Sequence, residues 1–299
     1  MNMGDYHTLS YFIEYGKQNY PADRYLLWVY NHGGGWKGAC MDETNEDPLL
    51  TMDDFQKALT ETGGVDIISF FACLMGSLES VYELRDLVDV YVGSEDLAHS
   101  VWWDGVCGDT NNLLNIKPEL TNEEIGTQIV NFYETQSNPL SSILTVSAIK
   151  ASKTKALVNA IDDLGNYFLT NWPQIKSDVK AAYDETYLLA DLQGWAEVFE
   201  VYDLKDFVEN LPDLPEKTAV LNAFDEALIH EIHGRNKQET HGISIFFPVQ
   251  IERYDLLNYY KDEEVSLDFP KDTCWDEFLL KNMIKNRSVS YTHLRAHET

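Results

Sequence analysis

The chain has 299 residues, 44% hydrophobic and 24% charged, which is the balance of an ordinary globular protein and long enough for one large domain or two. Its 50 acidic against 22 basic side chains give a formal net charge of −28, a surface that repels phosphate backbones and argues against a nucleic-acid partner. No apolar run approaches the ~20 residues a bilayer requires, so no membrane span is expected; four widely spaced cysteines (Cys40, Cys73, Cys107 and Cys274) form neither a metal knuckle nor a disulfide framework.

Taken in chain order, residues 1–5 carry no basic and apolar leader, and any export signal is expected upstream. Residues 25–30 form a compact apolar run that stops at Asn31-His32-Gly33-Gly34-Gly35, predicting a buried strand ending in a sharp loop. A short helix over 51–59 follows, with Thr51 as its N-cap and acids in its first turn. Residues 65–71 predict a second buried strand, 78–88 a helix and 90–93 a third strand. Further helices are expected at 122–134 (Thr121 cap, Glu124 closing a capping box), 153–169, 174–190 and 217–230, with strands at 143–149 and 242–247. This βαβαβ order implies an α/β fold with a mostly parallel sheet flanked by helices. Residues 281–299 turn basic, lose all periodicity and are read as an artefactual tail.

A histidine stands just past one buried strand and a cysteine just past the next. Parallel strands end on the same sheet edge, where ligands bind beyond their carboxyl ends, so His32 and Cys73 are expected to face one another. An imidazole beside a thiol promotes the nucleophilic thiolate and hands a proton to a leaving amine, which is acyl-transfer chemistry. Gly33, Gly34 and Gly35 clear side chains from the place a substrate would occupy and offer N–H groups to an oxyanion. The plainer alternatives are a small core cysteine and a turn whose glycines serve sterics alone.

Asn31-His32-Gly33-Gly34-Gly35-Trp36 and Ala72-Cys73-Leu74-Met75-Gly76-Ser77 resemble the histidine and cysteine motifs of the clostripain family, cysteine peptidases with a caspase-like α/β fold. Segments 1–5, 20–25, 50–52, 93–96, 202–207 and 242–248 extend the resemblance in the family's order across residues 1–280. The resemblance implies an endopeptidase working through a thioester acyl-enzyme. Cys73 would be its nucleophile, His32 its general acid/base, and the N–H groups of Gly33 and Cys73 its oxyanion hole. It further implies a peptide or protein substrate, no cofactor and no metal, and a secreted or envelope-attached bacterial enzyme. Residues 1–150 would be the caspase-like catalytic core, lacking the family's first strand and helix, and 151–280 a helical region that returns the strand at 242–247.

Two departures bear on specificity. Phe71 stands where the family usually carries an aspartate that pairs with a basic P1 side chain, and residues 38–56, where members are often self-cleaved, contain no Lys or Arg. Phe71, Glu95, Asp96, Trp103 and Asp104 are expected to line the substrate pocket, and P1 is expected not to be basic unless one of those acids reaches it.

Other readings of the same residues fare worse. The His-Gly-Gly-Gly run also occurs in α/β-hydrolases, but their G-x-S-x-G elbow is absent. In His230-Glu231-Ile232-His233 the histidines are three apart where a zinc protease needs four, so a solvated helix end is expected. The acids of segment 42–47 offer oxygen ligands for Ca²⁺ but lack the glycine and terminal glutamate of an EF-hand loop, so a flexible acidic loop is expected. A catalytically inactive peptide-binding or surface module of the same fold stays as the alternative function.

Overall fold

The structure is a computed structural model that describes residues 2–45, 49–98, 116–134, 144–190, 200–248, 254–262 and 265–282. The first half runs α1 (Tyr6–Asn19), β1 (Leu26–Tyr30), α2 (Met52–Thr62), β2 (Ile67–Phe71), α3 (Leu78–Glu83), β3 (Val90–Gly93), α4 (Asn122–Glu134) and β4 (Thr145–Lys150). The second half supplies α5 (Thr154–Glu185), β5 (Val201–Asp203), α6 (Leu204–Glu209), α7 (Pro215–Ala227), β6 (Leu228–His233), β7 (Ser244–Phe246), α8 (Tyr254–Tyr260) and α9 (Asp268–Asp272).

Five strands form the main sheet in the order β1-β2-β3-β4-β6. β1, β2 and β3 pair parallel, and β4 is antiparallel to both β3 and β6, so every strand but β4 points the same way. The period of two along each strand divides the core into two layers. Ile68, Phe70, Tyr91 and Ile149 face the larger layer, with α2, α3, α5 and α7. Ile67, Phe71, Val90, Val92, Val146 and Ala148 face the other, covered by Ile125, Ile129, Val130 and Tyr133 of α4. β2 is buried along its whole length, the condition that makes a strand read as a continuous apolar run. The larger layer joins Ile13 to Leu279 in one cluster, so residues on both sides of position 150 share it.

The caps match their sequence signals. Thr51 and Asp54 form a reciprocal capping box on α2, and Thr121 and Glu124 exchange the equivalent bonds on α4.

α5 is interrupted at Asn171 (φ −104°, ψ 17°), just before Pro173, so it comprises two helical stretches joined at a kink, as the two helices expected at 153–169 and 174–190 have it, with the second ending at Glu185. Several expected elements differ. α3 ends at Glu83, and 84–87 is a turn instead of the rest of a helix. The expected helix over 217–230 stops at Ala227, and His230, Glu231 and His233 belong to strand β6, paired with β4, not to a solvated helix end. The strand expected at 242–247 exists as β7, but it pairs antiparallel with β5 in a separate two-stranded sheet. The strand that the second half contributes to the main sheet is β6. Helix α1, capped by Asp5, was not foreseen. Among the described residues no helix is long and apolar enough to cross a membrane.

Candidate active site

His32 and Cys73 sit beyond the carboxyl ends of the paired parallel strands β1 and β2. The glycine run after His32 folds back on itself: Cys40 N–H donates to His32 O (3.0 Å) and Gly34 N–H to Gly38 O (2.8 Å). This places Gly33 directly against the Cys73 loop, where a Cβ on residue 33 would stand 2.3 Å from Cys73 O and 3.0 Å from Cys73 N. Only glycine permits that approach. Neither the Gly33 nor the Cys73 N–H donates to a main-chain carbonyl among the described residues; the Cys73 N–H lies against its own Sγ. The His32 ring is exposed and makes no hydrogen bond with a described residue, while its own N–H donates to Asn31 Oδ1 (2.5 Å).

The cysteine turn is strained and anchored. Leu74 holds φ 64°, in the left-handed region, which turns the chain sharply after Cys73. Leu74 N–H donates to Asp96 O (3.0 Å) and Gly76 N–H to Ser94 O (2.7 Å), tying this turn to the loop after β3. From that loop Ala98 brackets the thiol: its N–H donates to Cys73 Sγ (3.3 Å) and its carbonyl accepts from Sγ (3.6 Å). Burial pushes the Cys73 thiol above its ordinary value, the Ala98 N–H pulls it down and the nearby Asp96 charge pushes it up, with a net rise.

His32 and Cys73 open into one cleft of about 760 Å³, whose wall includes Tyr30, Phe71, Ala72 and Ala98. Phe71 is buried and its ring lies against Tyr30 and Tyr133, with centroids at 5.6 and 5.5 Å.

Glu95 and Asp96, expected in this pocket, are not on its wall. Both side chains turn inward to distant partners. Glu95 accepts from Gly242 N–H (2.9 Å), and burial, then the Asp203 charge beside it, holds its carboxyl well above the carboxylate range. Asp96 pairs with Lys237 at 2.5 Å. Trp103 and Asp104 lie outside the described residues, as does Cys107.

Among the described residues the acids that line the cleft are Asp42 and Glu43. Asp42 accepts bonds from Met3 N–H, Thr44 N–H, the Thr44 hydroxyl and the Asn45 amide, and these bonds, the Thr44 hydroxyl first, hold it well below the usual carboxylate range. Its lone pairs are thus spent within the chain, and among the described residues no cluster is disposed to hold a metal. The sequence signal for this wall was proximity: segment 39–50 leaves the histidine motif and returns to it, with Ala39 bridged to both Gly33 and Leu50.

Adjacent strand ends carrying a histidine and a cysteine over one cleft, on a sheet sandwiched between helices, define a caspase-like α/β protein. The sequence profile of the clostripain family of C11 peptidases matches residues 1–283, and the chain belongs to that family. Clostripain of Hathewaya histolytica is 26% identical over 321 residues, covering 88% of this chain; the chain spans 60% of that relative's length. Two solved structures share the fold. An inactive zymogen C11 protease from Parabacteroides distasonis superposes with TM-score 0.67 at 21% identity, over 90% of this chain and 76% of its own. A secreted C11 cysteine protease from Bacteroides thetaiotaomicron, in complex with an irreversible peptide inhibitor, gives 0.67 at 18% identity over 89% and 77%.

Proposed function

We propose that this chain is a cysteine endopeptidase in which Cys73 is the nucleophile and His32 the general acid/base. The observation that carries this reading is the close approach of Gly33 to the Cys73 main chain, which sets both motifs on one cleft. His32 takes the Sγ proton as sulfur attacks the scissile carbonyl carbon, and the resulting oxyanion accepts from the Gly33 and Cys73 N–H groups. The imidazolium then protonates the leaving amine nitrogen, the C–N bond breaks, and a thioester is left on Cys73. Water, deprotonated by His32, attacks the thioester carbonyl; the carboxylic acid leaves and the thiol regains its proton. No cofactor is required. A peptide substrate is supported by the peptide inhibitor held by the Bacteroides thetaiotaomicron fold relative.

The P1 side chain is neutral in this reading. The cleft wall that Cys73 shares includes Phe71, Ala72, Tyr30 and Ala98, and burying an unpaired cation against such a surface is costly. Asp42 is already satisfied by four donors, and Glu43 is exposed on the rim, where a charge pair is weak.

The test is Cys73→Ala and His32→Ala, each assayed for peptide hydrolysis and for labelling by a thiol-reactive peptide warhead. Members of a catalytic unit fail together, so each variant is expected to lose nearly all turnover. In the wild type the warhead is expected on Cys73 and not on Cys40, Cys107 or Cys274. Labelling of Cys73 without any peptide hydrolysis would favour the inactive peptide-binding module; hydrolysis that survives Cys73→Ala would overturn the mechanism.

A further inference from the structure

Behind the proposed nucleophile the best-connected side chain is Asp96. One carboxylate oxygen takes the Lys237 ammonium at 2.5 Å, and the other accepts the N–H groups of Leu97 (2.6 Å) and Ala190 (2.9 Å). Its main-chain carbonyl accepts from Leu74, the residue after Cys73, and two residues further on Ala98 brackets Sγ. Lys237, from the turn after β6, donates a second bond to the Tyr187 hydroxyl (2.8 Å). The two side chains of the pair are 5% and 2% exposed. A fully buried ion pair is a poor source of stability, because desolvating both charges offsets most of their attraction. Its position explains it better, since it lies where it controls both the geometry and the field around a thiol.

We propose that Lys237 is a positioning residue for Cys73: by pairing with Asp96 it fixes the 94–98 loop that brackets the thiol, and it cancels a carboxylate charge that would oppose thiolate formation. This rests on Cys73 being the nucleophile. A carboxylate held against an ammonium acts on its surroundings as a dipole, whose field falls off faster than that of a lone charge. Without Lys237 the Asp96 charge would act undiminished on a thiol that it already pushes upward. On the cleft side Cys73 shares its wall with His32, Tyr30, Cys40, Asp42 and Glu43; on the packed side it borders the small cluster that Tyr187 also borders and, through the loop, Asp96. Lys237 is the cation that this buried side supplies among the described residues. Burial works against its charge, yet Asp96 and then Tyr187 hold it above the ordinary lysine value.

The experiment follows the rate of Cys73 carboxamidomethylation by iodoacetamide against pH, read by mass spectrometry of the Cys73 peptide so that the other cysteines do not interfere. Lys237→Met is expected to raise the midpoint by about one pH unit, a roughly tenfold slower reaction at pH 7. The double variant Lys237→Met/Asp96→Asn removes both charges and is expected to return the midpoint to within about 0.3 units of wild type. A loop that was merely loosened would leave the double variant displaced as far as the single one. That outcome, or an unmoved midpoint in folded Lys237→Met, overturns the proposal. If Lys237→Met does not fold by near-UV circular dichroism, Asp96→Asn serves alone: a lowered midpoint supports the proposal and an unchanged or raised one ends it. Alkylation requires no peptide cleavage, so the expected shifts in a protein that hydrolyses no peptide would fault the peptidase reading and leave the Lys237 assignment standing.

Discussion

Gly33 lies flush against Cys73: a Cβ on residue 33 would meet Cys73 O at 2.3 Å, Cys73 N at 3.0 Å and Ala72 Cβ at 2.9 Å. Two of those atoms are main chain and cannot swing aside. Gly33→Ala is therefore expected to push the histidine and cysteine loops apart, costing about 1–3 kcal/mol of stability and, through misplacement of the reacting groups, about 100-fold in kcat/KM. Gly34→Ala is the control, because the nearest atom to its Cβ would be the tip of Leu49 at 3.3 Å, with Lys37 Cβ and Gly38 O at ordinary contact distances of 3.5 and 3.7 Å. Melting temperatures and peptidase kinetics of the pair check this; a Gly33→Ala enzyme as active as Gly34→Ala would remove the basis for joining the two motifs.

Phe71 supplies the second expectation. It occupies the cleft wall with Tyr30, and Glu95 and Asp96 have partners elsewhere. Phe71→Asp is expected to gain on Arg or Lys P1 substrates relative to neutral ones, because a desolvated pair of opposite charges carries about 2–5 kcal/mol of discrimination. A fluorogenic library scanned at P1 with both proteins gives the readout. A wild type that already prefers Arg over every neutral residue tenfold would place an acidic P1 wall on residues other than those described.

What the sequence made legible follows from where the partners lie. β1 and β2 were readable because the main sheet is covered on both sides, and His32 and Cys73 because each stands next to a readable strand end. Glu95 and Asp96 were placed in the cleft for that same reason, wrongly: a strand-end position gives the sheet edge but not the direction of a side chain. Their partners, Gly242 and Lys237, lie 147 and 141 residues away, beyond any local pattern. β6 failed differently. Leu228, Ile229 and Ile232 fit a helical spacing as well as a strand, and pairing with β4 decided the outcome. In α1 the exposed Tyr11, Phe12 and Tyr15 blur the apolar face that Leu9 and Ile13 present, so the helical period did not stand out.

The approach of α4 to the sheet yields a stability expectation separate from chemistry. At Gly126 a Cβ would lie 2.7 Å from Val90 Cγ1 and 3.2 Å from Ala148 Cβ, so the helix seats only because this residue lacks one. Gly126→Val is expected to overpack that layer and lower stability by about 1–3 kcal/mol, with KM for a peptide substrate unchanged. Urea unfolding monitored by tryptophan fluorescence measures the loss; a neutral or stabilised variant would show that α4 lifts off the sheet without penalty.

The last expectation concerns pH and begins with Glu79, in the first turn of α3, a few residues after Cys73. One of its carboxyl oxygens accepts from Phe246 N–H (2.9 Å) and the Tyr260 hydroxyl (3.3 Å), while the other is buried with no partner. Burial, only partly offset by those donors, pushes the group up to about 7. Between the unfolded value near 4.5 and the folded value near 7, the folded protein binds more protons at this site than the unfolded chain does. Its contribution to stability therefore falls as pH rises through that window and is level above it. The cost at pH 8 is at most about 3 kcal/mol, from a shift of about 2.5 units at 1.36 kcal/mol each. Glu79→Gln mimics the neutral acid and keeps an oxygen for both donors. It is expected to match the wild type near pH 4.5 and to exceed it in melting temperature at pH 8. Taking the difference between the two proteins at each pH cancels every other titrating group, including Glu83, which burial also pushes up to about 7. A Glu79→Gln protein less stable than wild type at pH 8 would mean that this carboxylate is charged and paired in the folded state, and the sign of the linkage would be reversed.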